Sequence, residues 1–179
     1  MLMPKLNILF FILIAPTLAI AELPPLPDPN KTPQKYEMAI NELKSAKSIE
    51  CYFPQGLFAN WQGQSMKLED DHISNAIHFD NIDTSNKKQA RMIAKLGATD
   101  VRAFMSPTGI TFIEITGIGN SIYTTVFPSY LGDKKINSEP QKDTFLFEKA
   151  YIAVTSRHSY APIIGAMPSQ FHGYCRILE

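Results

Sequence analysis

The sequence predicts an all-β fold, a single antiparallel barrel or sandwich of about eight or nine strands with one short N-terminal helix. Three observations predict it. From Ile49 onward, apolar residues recur with a period of two. Turn-forming clusters interrupt them roughly every ten residues. Two cysteines, Cys51 and Cys175, fall on the more apolar faces of the first and last strand candidates.

Four regions are expected: an export signal over 1–21, a Pro-rich linker over 22–33, a short helix over 34–47, and the antiparallel domain over 48–179. Lys5 gives the first 21 residues a positive start, Leu6 to Ala15 is mostly apolar, Pro16 breaks the run, and Ala19-Ile20-Ala21 has the small-x-small pattern of a secretory cleavage site. The rival reading, an uncleaved N-terminal anchor, is disfavoured because spanning a bilayer takes about 20 apolar residues. No cysteine stands at the cleavage point for a lipid anchor, and no later segment is apolar enough to span. The expected mature protein is therefore soluble and exported, periplasmic or secreted.

Pro24, Pro25, Pro27, Pro29 and Pro33 make the next stretch extended. Asn30-Lys31-Thr32 within it is a glycosylation sequon where the host glycosylates. Thr32 as N-cap and Pro33 at the first helical position then start a helix, with Tyr36, Ala39, Ile40 and Leu43 as its apolar stripe.

The strand candidates follow in order. Ile49, Cys51 and Phe53 alternate with Glu50 and Tyr52; Met66 and Leu68 alternate with Lys67 and Glu69; Ile77 and Phe79 alternate with His78 and Asp80. Residues 86–96 fit a helix ending at Gly97 or a strand with Ala90, Met92 and Ala94 on one face, and the surrounding strands favour the strand. Ile110, Phe112 and Glu114 share one face of the next element, Thr111, Ile113 and Ile115 the other. Residues 121–127 are rich in β-branched and aromatic side chains, 145–155 is a long strand candidate, and 171–178 closes the chain. Turns are expected at Ser106-Pro107-Thr108-Gly109, at Asp83-Thr84-Ser85-Asn86 and at Gly117-Ile118-Gly119-Asn120, with longer loops over 127–142 and 160–169.

Charge excludes one class of function. The 17 basic and 17 acidic side chains balance, and loss of the signal removes only Lys5. A protein that neutralises nucleic-acid phosphates carries a basic face, so no nucleic acid is expected as a partner.

In an oxidising compartment, Cys51 and Cys175 are read as a disulfide rather than two separate buried thiols. A bridge needs α-carbons within about 7 Å, which makes the first and last strands neighbours, in a closed barrel or in a sandwich with adjacent terminal strands.

Candidate chemistry is sparse. Ser156-Arg157-His158-Ser159 could supply a nucleophile and base, but there is no Gly-x-Ser-x-Gly elbow. Arg157 is a fixed fork of donors that could hold an anion, its plainer role being a surface ion pair. Glu114 would mark a site if its face were interior, and the scarcity of unpaired buried carboxylates places that face outside. His78, Asp80 and Asp83 lack the spacing of a calcium loop or zinc site, and Gly117-x-Gly119 lacks the rest of a dinucleotide loop, so neither metal nor cofactor is expected. The interleaved aromatics read as core, with a subset lining a small ligand cavity as the alternative.

Cys51, Gly109-Ile110-Thr111-Phe112-Ile113-Glu114, Thr124-Thr125-Val126-Phe127, Ser156-Arg157-His158 and Gly173-Tyr174-Cys175 resemble, over residues 49–177, small exported bacterial proteins of unassigned function. That resemblance carries no site residues. The outline, an N-terminal helix and an end-to-end disulfide, is also similar to lipocalin-type barrels, although Trp61 has Phe58-Ala59-Asn60 before it in place of their Gly-x-Trp.

The expected function is non-enzymatic binding of a small apolar ligand or a protein partner of the cell envelope, with Arg157, His158 and Glu114 as binding residues. The alternatives are a hydrolase-like enzyme using His158 with Ser156 or Ser159, and a structural or inhibitory protein docking through edge strands and the 128–142 loop.

Overall fold

The computed structural model describes residues 32–85, 88–130, 149–161 and 165–178. The expected signal and nearly all of the linker lie outside the described residues, as does most of the 127–142 loop.

Eight strands close into an antiparallel barrel in the order β1-β10-β7-β6-β5-β4-β3-β2, which removes the sandwich alternative. They are β1 (Ser48–Gln62), β2 (Ser65–Asp80), β3 (Ala90–Ala94), β4 (Gly97–Ser106), β5 (Gly109–Ile115), β6 (Ser121–Tyr130), β7 (Tyr151–His158) and β10 (Ser169–Leu178). Helix α1 (Thr32–Ser45) precedes them. Among the described residues no helix is long and apolar enough to cross a membrane.

Several elements differ from expectation. The helix runs 32–45 rather than 34–47. Its buried line is Ala39 and Leu43, continued by Ala46 just past its end, while Tyr36 is exposed and reaches the Pro107 carbonyl with its hydroxyl. Among the described residues, the 145–155 strand begins only at Tyr151. The 160–169 loop contains a small hairpin of β8 (Tyr160–Ala161) and β9 (Gly165–Ala166). Strand β6 continues through Pro128 to Tyr130, with the proline at the register shift between Val126 and Tyr130 where a ladder hydrogen bond is not needed. Within the ambiguous 86–96 segment, Ala90–Ala94 form a strand, β3, with Ala90 buried; residues 86–87 lie outside the described residues. The Asp83 turn forms as expected, with its carboxylate accepting from the backbone N–H of Ser85 and Lys88.

The period-two pattern aims its apolar residues inward. Phe53, Phe79, Phe112, Phe171 and Tyr151 fill the interior, and each is at most 1 % exposed. Surfaces that no water can touch leave no room for a ligand among them, as expected for an eight-stranded barrel. Phe79 stacks on Phe112 with ring centroids 3.9 Å apart. The Thr124 and Thr155 hydroxyls satisfy one another at 2.8 Å in the same core.

Strands β1 and β10 form the closing seam. Cys51 and Cys175 are register partners and form a disulfide with α-carbons 4.0 Å apart. On the outside of the seam, Arg176 Nε donates to Glu50 Oε2 at 2.6 Å, and His78 Nε2 lies 3.3 Å from Glu50 Oε1. Strand β1 bulges between Tyr52 and Gln55, and the seam stays tight through glycines. A Cβ at Gly173 would overlap the Tyr52 carbonyl, and one at Gly56 would overlap the Phe171 ring.

Helix α1 packs on β5 and β6 and joins the core at one end of the barrel. It is anchored by Glu42, whose carboxylate accepts from Tyr130 at 2.8 Å and from Tyr151 and Lys149. Burial opposes ionisation of Glu42, but these hydrogen bonds outweigh it and hold the carboxyl below its ordinary value. A depressed acid contributes stability above its unfolded pKa and loses it as pH falls through the folded one. Replacing Glu42 with Gln is therefore expected to cost about 2 kcal/mol at neutral pH, the scale of hydrogen bonds to a charged group. The difference from wild type should shrink as pH is lowered below about 4.5. Urea titrations across pH check both.

Candidate functional site at the end opposite the helix

Antiparallel alternation places the β1–β2, β3–β4 and β5–β6 turns, and the β7–β10 connection, at the end opposite α1. Two of the three binding residues expected from sequence meet there. Glu114 continues the inward face of Ile110 and Phe112, and Arg157 that of Tyr151, Ala153 and Thr155. Register places them in one row, Glu114 opposite Ile122 and Ile122 opposite Arg157. This row lies one step outside the buried Phe112–Thr124–Thr155–Phe171 layer.

Both plainer readings of these residues are corrected. Glu114 is not on the solvated outer face; its side chain is half-buried on the inner one. Arg157 forms no ion pair among the described residues; its guanidinium lies over the Phe171 ring, 5.0 Å from the centroid. The inward parity of β5 is set by Ile110 and Phe112, and Glu114 follows because β5 reaches its last turn only after it. Proximity to the barrel end makes a charged residue tolerable there.

The two side chains do not satisfy each other. Glu114 Oε2 and Arg157 Nε are buried without a hydrogen-bond partner among the described residues. An unmet buried polar group costs about 1–3 kcal/mol, so two in one row are a substantial local penalty. Burial raises the Glu114 carboxyl above its ordinary value, against the opposing pull of Arg157. Burial also lowers the Arg157 guanidinium from its ordinary value, against Asp71 and Glu114. The row thus offers one donor and one acceptor, each short of a partner, in a partly desolvated setting.

His158 does not join them. It is exposed on the outer face, its ring 5.5 Å from Tyr123. Ser156 shares that face, but no hydrogen bond connects His158 to Ser156 or Ser159 among the described residues. The nucleophile–base contact that a triad requires is therefore not formed there.

Sequence reasoning missed a neighbouring feature. Where β1 bulges from β2, a cleft of about 530 Å³ opens, lined in part by Gln55, Asp70, Asp71, His72 and His172. Its Gly56 wall is the register partner of Phe171, the ring beneath Arg157. The register shifts that open the cleft depend on Gly56 and Gly173 tolerating contact with the opposite strand, which a lone glycine in a sequence does not announce. Among the described residues no group of three or more His, Cys, Asp or Glu is arranged to hold a metal.

The rim is apolar. Leu96 and Ile118, at the β3–β4 and β5–β6 turns, are 99 % and 80 % exposed, and Ile115, Tyr160 and Trp61 are also exposed at this end. Comparison with protein-family models, curated proteins and solved structures returns no match.

Proposed function

We propose that the protein is an exported, non-enzymatic binding protein that takes a small amphiphilic molecule at the barrel end opposite the helix. The polar head would accept from Arg157 Nε and donate to Glu114 Oε2, as an alcohol hydroxyl or a protonated carboxyl does. The apolar body would lie against Ile122 and the exposed rim. The observation that carries this reading is the pair of buried, unpartnered atoms of opposite character in one interior row. The packed interior behind Phe112 and Phe171 directs the reading to the barrel end and away from its centre. Export rests on residues 1–21 and agrees with the disulfide, which persists in oxidising compartments.

Native mass spectrometry of protein purified from its own cells tests the reading. Wild type is expected to carry extra non-covalent mass that is absent from Arg157→Ala purified in parallel. Equal bare masses for both proteins count against it.

A further inference from the structure

Among the described residues, a long stretch of one strand edge has no partner strand. Strand β2 pairs with β1 along its length, from Gln62↔Ser65 to Ile49↔Phe79. With β3 it pairs only at His78, Phe79 and Asp80. From Met66 to Ile73 its second edge meets no other strand among the described residues. Such an edge is a template for strand addition unless it is blunted by proline or charge, covered, or twisted away; the charges here, Lys67, Glu69, Asp70 and Asp71, restrict pairing to a strand that complements them. No proline lies in this stretch.

The face it carries is also unusual. Trp61 and Met66 are register partners, as are Ala59 and Leu68 and, at the barrel end of the arm, Leu57 and Asp70, so these six share one face of the β1–β2 arm, on which Ala59 is buried. Trp61, Met66 and Leu68 are each more than half exposed. Met66 and Leu68 alternate with Lys67 and Glu69 as the sequence period indicates, but the arm extends beyond the barrel, so their side chains stay exposed. On the other face Lys67 Nζ lies 3.3 Å from Glu69 Oε1.

We infer that β2 pairs antiparallel with β2 of a second copy of this chain, in the register that sets Leu68 against Leu68 of that copy. Self-complementary charge supports a second copy as the occupant and favours this register, the one that turns Lys67 and Glu69 into cross-strand pairs. In this alignment Lys67 faces Glu69 of the second copy, and the two-fold axis repeats the pair. Four charges of alternating sign then meet on one face, and the two leucines meet on the other. Asp70 and Asp71 fall opposite Met66 and Ser65, so no like charges face each other. Alignments centred on Lys67 or Glu69 place a like pair directly opposite, which is destabilising. The resulting sheet runs β1-β2-β2-β1 across the two copies and joins the two apolar arm faces edge to edge.

Sedimentation equilibrium on the full mature chain, with charge-exchange variants, tests the interface. Wild type is expected to dimerise, and Lys67→Glu and Glu69→Lys are each expected to weaken dimerisation about tenfold by replacing two attractive cross-strand pairs with two repulsive ones. An equimolar mixture of the two single variants should form a heterodimer. In it the glutamates at positions 67 and 69 of one chain meet the lysines at positions 69 and 67 of the other. A folding defect cannot mimic this restoration. The double variant should dimerise like wild type. Arg157→Ala should leave the dimer unchanged, which separates this interface from the ligand site. Wild type that stays monomeric, or a dimer insensitive to the charge changes and to their mixing, overturns the inference.

Discussion

Replacing Cys51 and Cys175 together with alanine is expected to lower stability by about 4–5 kcal/mol. The bridge closes a sequence separation of 124 residues, and loop-closure entropy for a loop of that size amounts to about that figure. It acts mainly on the unfolded chain, so the variant should also unfold with a steeper urea dependence, since an uncrosslinked chain exposes more surface. The native seam should survive. Strands β1 and β10 remain paired from Ser48↔Leu178 to Phe58↔Ser169, with a bulge between, and Arg176 still clamps Glu50 across them. The expected result is therefore a folded barrel with a lower urea midpoint and unchanged far-ultraviolet circular dichroism. An unchanged midpoint would mean that the bridge contributes no constraint.

Phe112→Ala is expected to cost about 3–5 kcal/mol, the range for deleting a buried aromatic ring. Phe112 is 1 % exposed, stacks on Phe79 and sits in the layer directly beneath Glu114 and Arg157. Its removal leaves a cavity bounded by a ladder that cannot collapse. Ile115 on the same strand is the matched control. It points outward, is 71 % exposed, and its change to alanine should move stability by less than about 0.5 kcal/mol. Thermal unfolding separates the two, with the midpoint falling by roughly 10 °C for Phe112→Ala and by about 1 °C for Ile115→Ala. Similar losses for both would contradict the inward parity of β5. That parity is what places Glu114 inside.

Much of the fold was legible in the sequence because its signals are local. Ile49, Cys51 and Phe53 announce an inward face by alternation, and the disulfide then makes β1 and β10 neighbours. The choice between barrel and sandwich was not legible. It depends on which strands pair along the whole sheet, and period two is the same in both. The general scarcity of buried carboxylates points Glu114 outward, yet the parity of Ile110 and Phe112, four and two residues earlier, decides its direction. Met66 and Leu68 show the limit of alternation, which identifies a face but not what the face meets. Glu42 carries no sequence signal as an anchor. Its partners Tyr130, Lys149 and Tyr151 lie 88 to 109 residues away and reach it only once the barrel has closed.

The central claim is that Arg157 and Glu114 together hold a polar head group at the barrel end. The side-chain Nε–Hε resonance of Arg157 observes it most directly, because that hydrogen is the donor short of a partner. Assigned by its loss in Arg157→Lys, the resonance can be followed while octanol, and separately octanoate at acidic and neutral pH, is titrated into the protein. Binding should move it downfield and slow its exchange with solvent. Octanol and protonated octanoic acid should act more strongly than the octanoate anion, which has no hydrogen to donate to Glu114. A resonance that stays fixed through all these titrations would contradict the claim.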